Sequence, residues 1–149
     1  MRAVVTRVRE ASVTIDEQVV GQIGQGFLIL LGITHDDTPD VCRKLAEKVL
    51  GLRIFTYEND KMNKSLTDVG GSVLVVSQFT LYGDCSHGRR PSFIGAARPE
   101  QAIPLYEQFL AECTRLGFPP QHGQFGASMQ VASINDGPVT IIVDTRDLK

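Results

Sequence analysis

The sequence predicts an α+β fold, with curved or barrel-like, mostly antiparallel sheets and two helices packed outside them. Three observations point to it. Apolar and polar residues alternate near both ends of the chain, over residues 2–15 and 127–143. Between them lies Ser72-Val73-Leu74-Val75-Val76, a run apolar enough to be a strand buried on both faces. Only two stretches, Thr38–Gly51 and Pro99–Gly117, carry apolar residues at helical spacing between stop and start signals. A chain of 149 residues suits one domain, burying about two-thirds of its unfolded surface in a single core.

The elements follow in order. Residues 2–9 and 11–15 alternate as strands, with Arg7 among the charged positions of the first. Asp16-Glu17-Gln18 turns the chain into Val19–Ile23, and Gly24-Gln25-Gly26 turns it into the apolar run Phe27–Ile33, a compact antiparallel start. Thr38 as N-cap, Pro39 at the first helical position and Asp40 in the first turn open a helix that Gly51 stops. Leu52–Tyr57 reads as a short strand and Glu58-Asn59-Asp60-Lys61 as a polar turn. Met62–Leu66 leads to the Gly70-Gly71 break, and the central strand is expected to run from Ser72 to Tyr82. The second helix spans Pro99 to Leu116. Pro104 is expected to kink its first turns or delay its start, because proline lacks the N–H that an inner turn needs. Phe118-Pro119-Pro120 forces an extended link. The final third alternates from Ala127, is interrupted at Asn135-Asp136-Gly137-Pro138, and resumes over Val139–Val143, for about seven or eight strands in all.

Composition excludes several classes. A net charge of −2 rules out a globally basic nucleic-acid binder, though a local basic patch is compatible with it. No apolar run approaches the ~20 residues of a membrane helix. The N-terminus lacks the apolar core of a signal peptide, so a cytoplasmic location is expected. Cys42, Cys85 and Cys113 are odd in number and far apart, which suggests neither a disulfide framework nor a zinc site. His35, His87 and His122 are scattered, so no metal or cofactor is expected.

Two stretches invite chemistry. In Ser77-Gln78-Phe79-Thr80 a buried strand ends in hydroxyl and amide side chains, with backbone N–H groups released from the ladder. Such an end can hold an oxyanion, and equally fits an ordinary strand whose end is solvated. Gly137-Pro138 stands where a tight hairpin is expected. Proline there costs the next strand a donor, so the turn is either an edge feature or a special one. Arg89-Arg90-Pro91-Ser92-Phe93 places two cations beside an aromatic, which suits phosphate and a base or a plain solvated loop.

Taken together, Ser77-Gln78-Phe79-Thr80-Leu81 and Asn135-Asp136-Gly137-Pro138-Val139-Thr140 resemble D-aminoacyl-tRNA deacylase, the chiral-proofreading enzyme. The resemblance covers nearly the full length. It includes Arg7, Ala11-Ser12-Val13, Lys61-Met62-Asn63, Arg90–Phe93 and Gly123–Met129. It implies an obligate-type homodimer in which a cis Gly137-Pro138 from one subunit enters the active site of the other. There its main chain accepts the substrate's α-amino group and clashes with an L side chain. The implied substrate is D-aminoacyl-tRNA, with Gly-tRNA also cleaved, since glycine has no side chain to clash. Ser77, Gln78, Phe79 and Thr80 hold the ester. Thr80 is either a nucleophile or only a positioning group, water attack being helped in the second case by the substrate's ribose hydroxyl. Phe125 and Met129 pack the terminal adenine or simply the core. Arg7, Arg89, Arg90 and Arg98 meet acceptor-stem phosphates or, for the first three, the partner subunit. The resemblance implies no cofactor, no membrane and no DNA partner. Two rivals stand beside it: a sibling editing enzyme with a trans Gly-Pro bond that removes an L-amino acid, and a non-catalytic RNA-binding protein on the same fold.

Overall fold

The computed structural model describes residues 1–149 apart from Glu58 and Asp60. The two strands expected over residues 2–9 and 11–15 are one, β1 (Arg2–Ile15). β2 (Gln18–Ile23) returns along its second half through a turn in which Asp16 and Glu17 have φ of 48° and 66°. Both central residues are thus left-handed, the twist that a two-residue hairpin needs. β3 (Gly26–Gly32) pairs antiparallel with the first half.

α1 (Pro39–Leu50) opens as predicted, with Thr38 Oγ1 accepting the Val41 N–H at 3.3 Å and Gly51 as C-cap. The strand expected over Leu52–Tyr57 shrinks to β4 (Phe55–Thr56), which pairs with β5 (Met62–Lys64) in a small separate sheet. The turn expected over residues 58–61 lies partly outside the described residues. A four-residue helix, α2 (Leu66–Val69), follows. Ser65 and Asp68 cap it reciprocally, a capping box with Asp in the place of the usual Glu.

The pairings of β1 are all antiparallel, as expected of a mostly antiparallel sheet, and β6 (Ser72–Ser77) is the exception. It lies parallel to β3 on one side and to β7 (Gln121–His122) on the other, so the sheet is mixed. The cause is the placement of the helices: α1 falls between β3 and β6, and α3 (Pro99–Arg115) falls between β6 and β7. Parallel neighbours require such crossovers. Val73 and Val75 of β6 face the helices, packing with Cys42, Leu45, Phe109 and Cys113. Leu74 and Val76 face the inside of the curved sheet with Val8, Val13 and Leu28. Hence the run is apolar without alternation. β2 approaches β7, where the Gln22 N–H donates to Gln121 Oε1 at 3.4 Å, and the sheet comes close to closing.

α3 starts at Pro99 and runs without interruption through Pro104, so the expected late start is not seen. Pro104 is on the exposed side, where the carbonyl it leaves unbonded can meet water. β8 (Gln130–Asp144) pairs with β1 along both of its halves. The interruption at Asn135–Pro138 is therefore not a hairpin. Thr6 pairs with Thr140 and Val8 with Asn135, so residues 136–139 loop out of one continuous antiparallel pairing opposite Arg7. Among the described residues the other edge of β8 has no strand partner, and Val131, Ile134 and Ile142 are exposed along it.

Candidate active site

β6 stops at Ser77, and this corrects the strand expected as far as Tyr82. Its partner β3 ends at Gly32, and the last Cα pair is Leu31 with Ser77. The Gln78 N–H makes one more bond, to Leu31 O at 2.8 Å, and Phe79–Tyr82 then coil into a single 3-10 turn. The turn lies on Gly32, where a Cβ would come within 3.0 Å of Leu81 Cβ. Its first two N–H groups, those of Phe79 and Thr80, have no acceptor among the described residues. The freed donors expected here are thus present, supplied by the open start of a 3-10 turn rather than by a frayed strand. Gln78 Nε2 donates to Thr80 Oγ1.

The start of this turn faces a cleft of about 230 Å³ lined by Ser77, Gln78, Phe79, Phe125, Met129 and Val131. Among the described residues, those that line it carry no carboxylate, imidazole or amine. A second, more apolar cleft of about 630 Å³ shares Phe79 and Phe125 with the first and extends past Phe93 and Ala96 to Arg98. Phe79 and Phe93 meet edge to face at 5.3 Å. Phe125 is tilted against Tyr106 at 5.9 Å. Met129 fits both readings open to it, because it packs on the inner core cluster and lines the cleft. Its sulfur fills the space that a Cβ on Gly123 would need. His122 lies in a different groove with its Nδ1 on Gly123 O, away from the residues around Thr80.

Gly137 and Pro138 line neither cleft. They are exposed at the top of the loop-out, and the bond between them is cis, as the resemblance implies and unlike the trans bond of the sibling enzyme. The loop is braced twice. Asn135 Oδ1 accepts the Val139 N–H at 2.9 Å while Asn135 Nδ2 donates to Thr140 Oγ1 at 3.0 Å. Beneath it lies Arg7, 7% exposed, whose Nε donates to Asp136 O at 2.8 Å. Its Nη1 donates to Ile54 O at 2.8 Å and to Thr56 Oγ1 at 3.1 Å. Arg7 is therefore turned inward, with Nε and Nη1 engaged beneath the loop that it supports. Its sequence position in the middle of a strand, between Val5 and Val8, was the available signal. Gly137 has φ of 134°, and a Cβ there would stand 2.7 Å from Arg7 Nη2. Arg89 and Arg90 are exposed on a loop closed by the Asp84–Ser92 pair, and Arg98 is exposed at the rim of the larger cleft.

Sequence and structure comparisons agree. The family model described as D-Tyr-tRNA(Tyr) deacylase matches residues 4–144. A D-aminoacyl-tRNA deacylase of Thermus aquaticus is 56% identical over 147 residues, covering 99% of this chain and 97% of its own length. One from Chloroflexus aurantiacus is 58% identical over 149 residues, covering 100% and 93%. Among solved structures, the c-Myc DNA Unwinding Element Binding Protein superposes with a TM-score of 0.91 at 41% identity, over 97% of this chain and 98% of its own. A probable eukaryotic D-amino acid tRNA deacylase shares the fold, with a TM-score of 0.82 at 17% identity, over 95% and 97%. Matched along nearly all of its length by family model and relatives alike, the chain belongs to the D-Tyr-tRNA(Tyr) deacylase family.

Proposed function

We propose that this chain hydrolyses the ester joining a D-amino acid, or glycine, to the 3′-terminal adenosine of tRNA, and that it does so in the cytoplasm as a homodimer. The observation that carries the reading is the pair of N–H groups at Phe79 and Thr80, unengaged among the described residues, at the start of a turn whose Phe79 lines a cleft without titratable side chains. An α-amino ester is already activated. Placing its carbonyl oxygen on two fixed donors supplies the main stabilisation a tetrahedral intermediate needs. Water adds to the carbonyl carbon, the oxyanion rests on the two N–H groups, the bond to the ribose oxygen breaks, and that oxygen takes up the proton with help from the neighbouring ribose hydroxyl. Thr80 accepts a hydrogen bond from Gln78 and positions the ester without attacking it. The smaller cleft takes the aminoacyl ester, and the larger apolar one, reached past Phe125, takes the adenine.

Chiral selection comes from Gly137-Pro138 of the partner subunit. The segment is exposed, braced and remote from the cleft of its own chain, as a part made for another protomer would be. Its main chain accepts the substrate's α-amino group and closes the space on the L side, so rejection of the wrong hand sets specificity. Arg89, Arg90 and Arg98 lie where phosphates of the tRNA end can approach, a contact weakened by salt. Deacylation of D-Tyr-, L-Tyr- and Gly-tRNA, with the mass in solution measured alongside, tests this reading. Cleavage of the D and glycyl substrates by a dimer is expected. Equal cleavage of L-Tyr-tRNA, or no cleavage at all, would refute it.

A further inference from the structure

The turn that begins with two free donors ends with a carbonyl that its own backbone leaves unpaired. The Gly83 N–H goes to Thr80 O at 2.9 Å, and Leu81 O accepts instead from Arg2 Nη1 at 2.8 Å. The same guanidinium lies 4.8 Å from the centre of the Tyr82 ring. Its Nε–Nη2 edge is held by Asp144, whose Oδ2 is 3.0 Å from both nitrogens. Asp144 is itself fixed, since it is the register partner of Arg2 across β1 and β8, and its Oδ1 accepts the Arg146 N–H at 3.0 Å. On the other side of Arg2 its register partner is Gly32, over which the turn packs. Arg2 lines neither cleft.

We propose that Arg2 is a positioning residue for the reaction. It clamps the C-terminal end of the Phe79–Tyr82 turn to the β1–β8 pair, which sets the direction of the Phe79 and Thr80 N–H groups at the other end. The inference rests on the reading that those groups hold the ester. The turn is four residues long, so a tilt at Leu81 is carried to its first two peptides. An oxyanion contact is strongest in the transition state, and loss of aim lowers kcat more than it raises KM.

Steady-state deacylation of D-Tyr-tRNA by the full-length protein, with melting temperature and mass in solution measured in parallel, tests it. Arg2→Met is expected to lower kcat roughly tenfold or more, as a small misplacement of catalytic donors does, with KM within about twofold. Arg2→Lys keeps the charge but has no planar fork, and is expected to fall about threefold. Millimolar guanidinium is expected to restore part of the kcat lost in Arg2→Ala. A kcat within twofold of wild type in a folded Arg2→Met protein overturns the inference and leaves the proposed function standing. Where the Met variant does not fold, an unchanged kcat in Arg2→Lys does the same. Reduced melting temperature with unaltered kcat per folded dimer also overturns it. A wild-type protein inert towards D-Tyr-tRNA refutes the proposed function, and the inference with it.

Discussion

Replacing Arg7 by Met separates support of the Gly137-Pro138 loop from any direct role in holding tRNA. The side chain is nearly fully buried, and its guanidinium makes three hydrogen bonds to the carbonyls of Ile54 and Asp136 and the hydroxyl of Thr56. The Asp136 carboxylate stands 4.0 Å from Nε, too far for a close ion pair. Methionine fills similar volume and leaves all three acceptors without their donor. Hydrogen bonds from a charged donor contribute about 1.5–3 kcal/mol each. The bonds share one side chain and the Asp136 carbonyl can turn to water, so the sum is discounted to roughly 3–5 kcal/mol. Urea unfolding at fixed protein concentration measures the loss, and deacylation of D- and L-Tyr-tRNA measures its consequence. The expected outcome is a large fall in the midpoint together with slower cleavage of the D substrate, because the loop has lost its floor. A stability change below about 1 kcal/mol with weaker tRNA binding and a shallower salt dependence of that binding would show that Arg7 faces phosphate after all.

Gly137→Ala forces a Cβ against Arg7 and Val139 at a φ of 134°, so a loss of about 1–3 kcal/mol and of D-Tyr-tRNA cleavage is expected from melting and activity assays. Thr80→Ala should retain most activity in a deacylation assay, whereas a fall of many orders of magnitude would mark Thr80 as the nucleophile. Burial raises the Asp144 carboxyl, but the bonds from the Arg146 N–H and the Arg2 guanidinium outweigh it and hold the group below the ordinary value of 3.8. Its contribution is therefore present at neutral pH and lost as pH falls below that value through the folded one. Asp144→Asn should lower stability at pH 7 by about 1–2 kcal/mol and flatten the acid limb of unfolding midpoint against pH. The Tyr82 hydroxyl is buried without a partner among the described residues, and burial pushes its pKa well above the usual phenol range. Tyr82→Phe, which keeps the ring under Arg2, should be neutral or stabilise by up to about 1 kcal/mol, read as a melting shift.

What the sequence reveals about this fold depends on the range of the interaction behind each feature. The start of α1 was legible because Thr38, Pro39 and Asp40 act on the turn they begin. The direction of β6 was not read from its own residues, since a parallel and an antiparallel core strand bury the same Val73–Val76 run. The helices on either side of it in the chain held that information. The end of β6 was missed for a related reason: Phe79, Thr80 and Leu81 all suit a strand, and what stops it is the end of its neighbour at Gly32. Pro104 misled in the opposite way, through a local rule that an exposed position relaxes.

The candidate site was legible as two motifs and illegible as a place. Ser77–Leu81 and Asn135–Thr140 stood out by residue type, yet within one protomer the second motif does not line the cleft beside the first. The fold accounts for this. Among the described residues β8 has β1 as its one strand partner, and it carries Gly137-Pro138 on the same strand as the exposed Val131, Ile134 and Ile142. Burying that apolar edge against a second copy would deliver the loop in the same step, so association and chiral selection would be one event and not two. Residues 136–139 leave the β1–β8 pairing, and on the proposed reading the contacts that offset this loss are made with the partner chain.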